Sequence, residues 1–339
     1  MVVLELDGSD GGGQLLRTAL ALSALTREGF RMRNVRGSRP TPGLKAQHAA
    51  ALWAVREVCD AAVEGGARGS ETVTFDPGPV RGGEVRVEVG TAGSVTLVFD
   101  AALPLAYALE TPLSLRVVGG TDVKWAPTIA HHAEVKRGVV ERFGLDYTDH
   151  VERRGFYPAG GGEATVELEP STPTEATLTE RGPLREGTVF AWASDDLEQA
   201  SVAERMADHV LDAHPSFERR VAYGPADSTG AGCCLRAEFT DSVAGFDALG
   251  EPGRSAEAVA GDVLSAFEGF RETGAAVDRH TADQVMVPLA VAGGAVSIPA
   301  VTDHVASNAA VVRSFGGDLR VEQRDGTAVL ESDGGLGTR

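Results

Sequence analysis

Lysine is nearly missing from this chain: Lys45, Lys124 and Lys136 are the only three in 339 residues, so 28 of the 31 basic side chains are arginine. A lysine-rich substrate cleft is thereby excluded. Cysteine is as scarce, and Cys59, Cys233 and Cys234 make an odd number with a vicinal pair, which rules out a disulfide framework and lacks zinc-site spacing. Cys233 and Cys234 read as small buried residues of a strand. No apolar run approaches the roughly 20 residues of a bilayer span. The opening segment MVVLELDGSDGGGQ carries neither a basic n-region nor a cleavage site, so the chain is expected to be cytoplasmic, with no membrane partner.

What is present in excess is acid. Forty-nine acidic side chains give a formal charge of −18 and a pI near 4.9, while 42% hydrophobic residues suffice for a sizeable core. An acid-rich, lysine-poor surface suits a high-salt cytoplasm, where self-repulsion is screened over about 3 Å at 1 M ionic strength. Net charge therefore says little about the ligand. Locally the balance reverses: from Arg27 to Lys45, six basic residues meet one acid, Glu28, which marks an anion-site candidate.

Three stretches repeat one pattern. Residues 14–35, 94–118 and 281–299 each read as a small-residue start, an almost wholly apolar helix, a break and a short strand. An amphipathic helix follows each, over 43–59, 129–143 and 303–315. Strands at 71–75 and 84–89 close the first unit, 146–153 and 163–168 the second, and 318–323 and 328–331 the third. The fold class expected is α/β (α+β), with three repeated βαβαββ units forming a large domain over 1–178 and 275–339. A different stretch, 179–274, has strands near 188–194, 221–223 and 233–239 and helices near 197–213 and 255–270. It reads as a small α/β domain inserted in a loop. The last residues, SDGGLGTR, read as a frayed tail.

Candidate chemistry gathers at four places. Residues 7–17, DGSDGGGQLLR, put a glycine run at the opening of a buried helix, where backbone N–H groups and the helix dipole can meet an anion. Neither P-loop nor Rossmann spacing is present, so a plain turn is an equal reading. Arg17 lies one turn into that apolar helix and needs an anion there, either a structural carboxylate or a ligand. Arg39, in RGSRPTPGLKAQH, sits on a restrained loop with the fork geometry that suits phosphate. The third place is RGFYPAGGGEATVELEP at 154–170, whose consecutive glycines imply a backbone held open for something. Last, His280, Asp283 and Gln284 open the third unit's first helix, and His304 opens its second, with Asn308 one turn on. A structural role is the ordinary fate of a lone histidine, yet a neutral imidazole is also a competent nucleophile towards phosphorus. The remaining histidines read as surface or structural.

DGSDGGGQLLRTALALSAL, RGSRPTPGLKAQH, GGTDVKWAP, RGFYPAGGG, HTADQVMVPLAVAGG and DHVASNAAVV, in that order, resemble the RNA 3′-terminal phosphate cyclase family. The resemblance runs through all three repeat units. It implies ATP-dependent chemistry in which a histidine is adenylated, AMP passes to an RNA 3′-phosphate, and the neighbouring 2′-OH displaces it to leave a 2′,3′-cyclic phosphate. The partners implied are RNA 3′ ends and ATP, with a divalent metal, Mg2+ or Mn2+. On matching positions, His304 is the nucleophile, and His280, Thr281, Ala282, Asp283 and Gln284 form the ATP-contacting segment. Arg17 and Arg39 hold phosphate groups, and Asp10 stands near the metal. Three residues depart from the pattern: Asp10 replaces glutamate, Asp100 replaces a common glutamine whose contact is not carried over, and Ala164 replaces a larger aliphatic residue. A non-catalytic ribosomal-RNA processing factor of the same fold is the alternative, and His304 argues against it. Enolpyruvyl transfer, on a related architecture, is disfavoured by the three lysines.

Overall fold

The structure is a computed structural model and describes residues 3–337. The first sheet is built from β1 (Leu4–Asp7), β2 (Phe30–Arg33), β3 (Ala62–Glu64) and β4 (Val73–Asp76), with helices α1 (Gly13–Thr26) and α2 (Ala46–Cys59) between them. Its order is β1-β2-β4-β3, with β1 and β2 parallel and β4 antiparallel to both its neighbours. The second sheet takes β5 (Gly83–Glu88), β6 (Leu113–Gly119), β7 (Tyr147–Arg153) and β8 (Gly162–Leu168), with α3 (Thr96–Ala102), α4 (Ile129–His131) and α5 (Arg137–Val140). Its order, β5-β6-β8-β7, has the same sense of pairing.

After β9 (Ala176–Leu178) the chain leaves for the fourth sheet. That sheet comprises β10 (Leu184–Ser194), β11 (Glu218–Gly224), β12 (Ala231–Phe239) and β13 (Val243–Leu249), with α6 (Val202–Ala213) and α7 (Ala256–Arg271). The chain returns through α8 (Arg279–Gln284), α9 (Met286–Ala292), β14 (Gly294–Ile298), α10 (Asp303–Ser314), β15 (Arg320–Arg324) and β16 (Thr327–Ser332). There β14 pairs parallel with β9 and antiparallel with β16, so the third sheet, β9-β14-β16-β15, again has the order of the first. One apolar cluster runs through these three sheets, and a second belongs to β10–β13 with α6 and α7.

The elements follow from local chemistry. Ten of the 14 residues of α1 are buried, eight of them apolar together with Gln14 and Ser23, while Arg17 and Thr18 are only partly buried. α1 begins after Gly12 with no side-chain cap and ends at Arg27 in the left-handed region, φ 58°. In α10, Thr302 caps the start by accepting from Val305 N at 3.1 Å.

Several expected boundaries are corrected. Gly83–Glu88 opens the second sheet, paired in parallel with β6, and does not close the first; the short strand Ala62–Glu64 does that. Three-residue strands such as β3 and β9 carry too little alternation to be read locally. The expected helix at 129–143 is broken by a wider π-type turn at His132–Lys136. The insert has a further strand, Val243–Leu249, on its edge. The tail is not frayed as far as it is described: Gly335 N donates to Val291 O at 2.9 Å and Leu336 N to Ala290 O at 3.3 Å. Residues 338 and 339 lie outside the described residues.

Candidate active site

α1, α8 and α10 converge with residues 245–247 and 266–273 of the insert around a cavity of about 690 Å³. This is the size range of small-molecule sites. His304, His280, Asp283, Gln284 and Arg17 all line it, although the chain separates Arg17 from His304 by most of its length.

His304 stands in the first turn of α10, half exposed, with Nδ1 3.1 Å from Asp283 Oδ2. A carboxylate oxygen accepts, so Nδ1–H donates, and in the neutral ring that tautomer leaves the lone pair on Nε2. Asp283 Oδ1 is buried without a hydrogen-bond partner among the described residues. One turn on, buried Asn308 accepts from Thr18 Oγ1 at 3.1 Å, which ties α10 to α1 and fixes the face that carries His304.

Arg17 has no carboxylate within salt-bridge distance among the described residues, and the structural-partner reading does not hold. Burial lowers its pKa, with Asp100 and Asp283 opposing from a distance. A guanidinium placed this way is a site for an anion that comes from outside. Gln14, on the same cavity, is 7% exposed and its Nε2 has no acceptor among the described residues. Gly12 lies beside it, and a Cβ there would come 2.6 Å from Gln14 Oε1 and 3.4 Å from Arg39 Nη2. Arg39 therefore approaches the uncapped start of α1 from the neighbouring loop; it is exposed and outside the cavity lining. Uncapped N–H groups, Gln14 and two arginines make a donor set for a phosphate chain.

The segment 280–284 divides in two. Thr281 and Ala282 are buried and off the cavity: Thr281 Oγ1 donates to Asp278 Oδ2 at 2.8 Å, and Ala282 belongs to the apolar core. Asp278 also caps α8, accepting from His280 N and Thr281 N at 2.9 Å each, and its Oδ1 meets buried His131 Nε2 at 3.2 Å. Burial works against both charges, but the pair outweighs it, holding His131 above and Asp278 well below their ordinary values. His280 Nε2 is 3.6 Å from Asp247, whose Oδ2 accepts from Thr128 N at 2.8 Å. The insert thus supplies a carboxylate to this wall, as does Asp100, which accepts from Lys136. Trp125, 95% exposed, stands at the rim. Asp247 and Lys136 carry no local pattern, whereas Trp125 lies in the GGTDVKWAP motif and Asp278 has the signal of a helix-capping residue before HTADQ.

Asp10 is exposed on the glycine loop and outside the cavity lining. No group of three or more metal-binding side chains occurs among the described residues. Asp10 fits a divalent ion as a single carboxylate, the other ligands coming from phosphate oxygens and water.

The second glycine cluster is closed by the protein's own chain. A Cβ on Gly161 would lie 2.1 Å from Asp227 Oδ2, and one on Gly160 2.8 Å from Ala92 Cα. Ala159 N donates to Ser228 Oγ at 3.0 Å. The opening read there from sequence is filled by the insert's 227–228 segment and by residues 91–92.

The three helices α1, α8 and α10 thus bring to one cavity a guanidinium and amide groups without partners among the described residues and a carboxylate-held imidazole, an arrangement suited to a polyanionic ligand. Residues 9–319 match the family described as RNA 3′-terminal phosphate cyclase, and the chain belongs to that family. It is similar to the RNA 3′-terminal phosphate cyclase of Halobacterium salinarum, 47% identical over 338 residues, covering 96% of this chain and 99% of that one. The proteins of that name from Methanopyrus kandleri and Pyrococcus furiosus are 39% and 34% identical, covering 93% and 100% of this chain and 94% and 97% of theirs. No helix among the described residues is long and apolar enough to cross a membrane.

Proposed function

We propose that this protein converts an RNA 3′-terminal phosphate to a 2′,3′-cyclic phosphodiester using ATP, through a histidine–AMP intermediate on His304. The reading rests above all on one observation: His304, with Nδ1 engaged by Asp283, shares its cavity with an Arg17 that has no carboxylate partner among the described residues. Nε2 attacks the α-phosphorus of ATP, a P–N bond forms and pyrophosphate leaves with the electrons of the broken P–O bond. Asp283 accepts the Nδ1–H hydrogen bond and stabilises the positive ring as it forms. An oxygen of the RNA 3′-phosphate then displaces the imidazole. Finally the adjacent 2′-oxygen attacks the phosphorus of the RNA 3′-phosphate, its proton passes to water, and AMP departs with the electrons of the broken P–O bond. This last step needs little beyond orientation, since nucleophile and electrophile belong to one ribose.

Within this reading Arg17, Arg39 and Gln14 hold phosphate oxygens, and His280, Asp283 and Gln284 face the nucleotide. Thr281 and Ala282 act by packing α8. A divalent ion, Mg2+ or Mn2+, would neutralise pyrophosphate when bound, with Asp10 as its protein ligand. Residues 1–178 and 275–339 form the catalytic domain and 179–274 an inserted one that closes the cavity, and the reaction takes place in a salt-rich cytoplasm.

Incubation with ATP labelled at the α-phosphate should label the protein through an acid-labile, alkali-stable bond, and His304→Asn should abolish it. Labelling that persists in His304→Asn overturns the assignment and points to His280. An unlabelled wild-type protein at both high and low salt supports a non-catalytic RNA-binding role instead.

A further inference from the structure

Two sequence motifs, GGTDVKWAP and RGFYPAGGG, take no part in the proposed chemistry, yet each displays an aromatic ring to solvent. Trp125 is 95% and Tyr157 77% exposed, the two most exposed of the large hydrophobic side chains among the described residues. Their loops are joined. Thr121 N and Asp122 N donate to Gly155 O at 2.9 and 3.1 Å, and the backbone of Asp122 pairs with that of Phe156. Trp125 also lines the rim of the cavity that holds His304.

Both rings stand on firm footing. Phe156, beside Tyr157, is buried with Gly230 packed on its ring, where a Cβ would come 2.1 Å from Cγ, and Gly160 N donates to Phe156 O at 2.7 Å. Trp125 has φ 65°, a left-handed conformation that a bulky side chain rarely takes, and Lys124 Nζ ties its loop to Glu251 of the insert at 3.0 Å. The cations beside the rings are already answered: Lys124 by Glu251, Arg153 by Asp227 at 3.0 Å and Arg154 by Asp122 at 2.9 Å. In a chain of net charge −18 this surface therefore offers little to phosphate oxygens. What it offers is planar apolar faces, and every nucleobase has a matching one.

We propose that Trp125 and Tyr157 form a stacking platform for unpaired bases of the RNA strand whose 3′ end enters the cavity. The inference rests on the cyclase reading above, in which the terminal phosphate must reach the adenylate on His304 while the rest of the strand leaves across the rim. Stacking tolerates any sequence but requires bases that are not paired, so the platform favours single-stranded 3′ ends. Phosphate contacts weaken as salt rises, whereas stacking does not depend on counterion release.

The test is anisotropy-detected binding of 3′-phosphorylated single-stranded RNA without ATP, so that no nucleotidyl group can be transferred. Wild-type protein should bind a strand of about four nucleotides roughly tenfold or more tighter than a strand of equal length that keeps only its terminal base and is otherwise abasic. In Trp125→Ala/Tyr157→Ala, shown to be folded by its thermal transition, the two strands should bind within about threefold of each other, whereas Trp125→Phe/Tyr157→Phe should keep most of the preference. An unchanged preference in the folded alanine variant overturns the platform. So does a wild type that binds both strands equally, or neither while still taking label from ATP. If Trp125→Ala instead raises the ATP concentration for half-maximal labelling by about tenfold and leaves the RNA preference intact, that ring serves ATP and its RNA assignment falls. A wild type that binds neither strand and takes no label overturns the cyclase reading itself.

Discussion

Gly11–Gly13 and Gly160–Gly162 read alike in sequence, each a glycine run beside an ordered element, yet the molecule uses them differently. At the first run Gly13 yields to His48, whose Nε2 would be 2.0 Å from a Cβ, and Gly12 leaves Gln14 and Arg39 side by side at an uncapped helix start. Polar groups there remain without partners. At the second run Asp227, Ser228 and residues 91–92 fill the space, and no polar side chain is left waiting. Glycine thus marks a close approach; which partner approaches is decided by chain that lies far off in sequence.

The contrast can be broken most forcefully at Arg17. Arg17→Met should lower adenylation by about 10²- to 10³-fold, the usual cost of removing a transition-state charge contact, with the thermal transition unchanged or raised because an unpaired guanidinium is gone. A large loss of stability would mean that Arg17 is a structural cation.

Gly12→Ala tests the first run directly. Its φ of −96° admits alanine, but the new methyl displaces Gln14 and crowds Arg39. Activity should drop by about tenfold or more while stability changes by less than about 1 kcal/mol. Gly161→Ala should do the reverse. At φ 66° and against Asp227, alanine should cost about 1–3 kcal/mol in urea unfolding, with kcat retained and partial recovery on adding Asp227→Ala. Equal effects of both substitutions on activity would erase the distinction between the runs.

His48 gives the gentlest test. Burial first, then Arg17, Arg36 and Lys45, push its pKa down to about 3 from an ordinary 6.5. The folded state therefore binds fewer protons than the unfolded one between these values, and stability falls as pH drops from about 6.5 towards 3. His48→Gln should remove up to about 1.4 kcal/mol per pH unit from that slope, measured as the difference between wild-type and variant unfolding curves. An identical slope would show His48 to be solvated.

Much was legible without a structure, because period and composition act locally. The apolar run of α1, the strands at 163–168 and 233–239, and the pairing of His304 with the HTADQ segment as candidates all stood in the sequence. Residues 84–89 were placed in the wrong sheet because a lone strand does not say with which edge it pairs. The segment 280–284 reads as one unit in sequence, whereas helical geometry turns His280, Asp283 and Gln284 to the cavity and Thr281 and Ala282 to the core.

The order of apolar and polar residues, the excess of acid and the spacing of glycine and histidine were enough to determine the helices, most strands and the chemistry on offer. Tertiary structure alone decided which charges are answered. Asp100 finds Lys136 and Asp278 finds His131, whereas Arg17 finds no carboxylate among the described residues. Electrostatic pairing depends on distances of a few ångströms between residues remote in sequence, and only packing such as that of α1 against α10 and of β12 and β13 against residues 129–136 could set them.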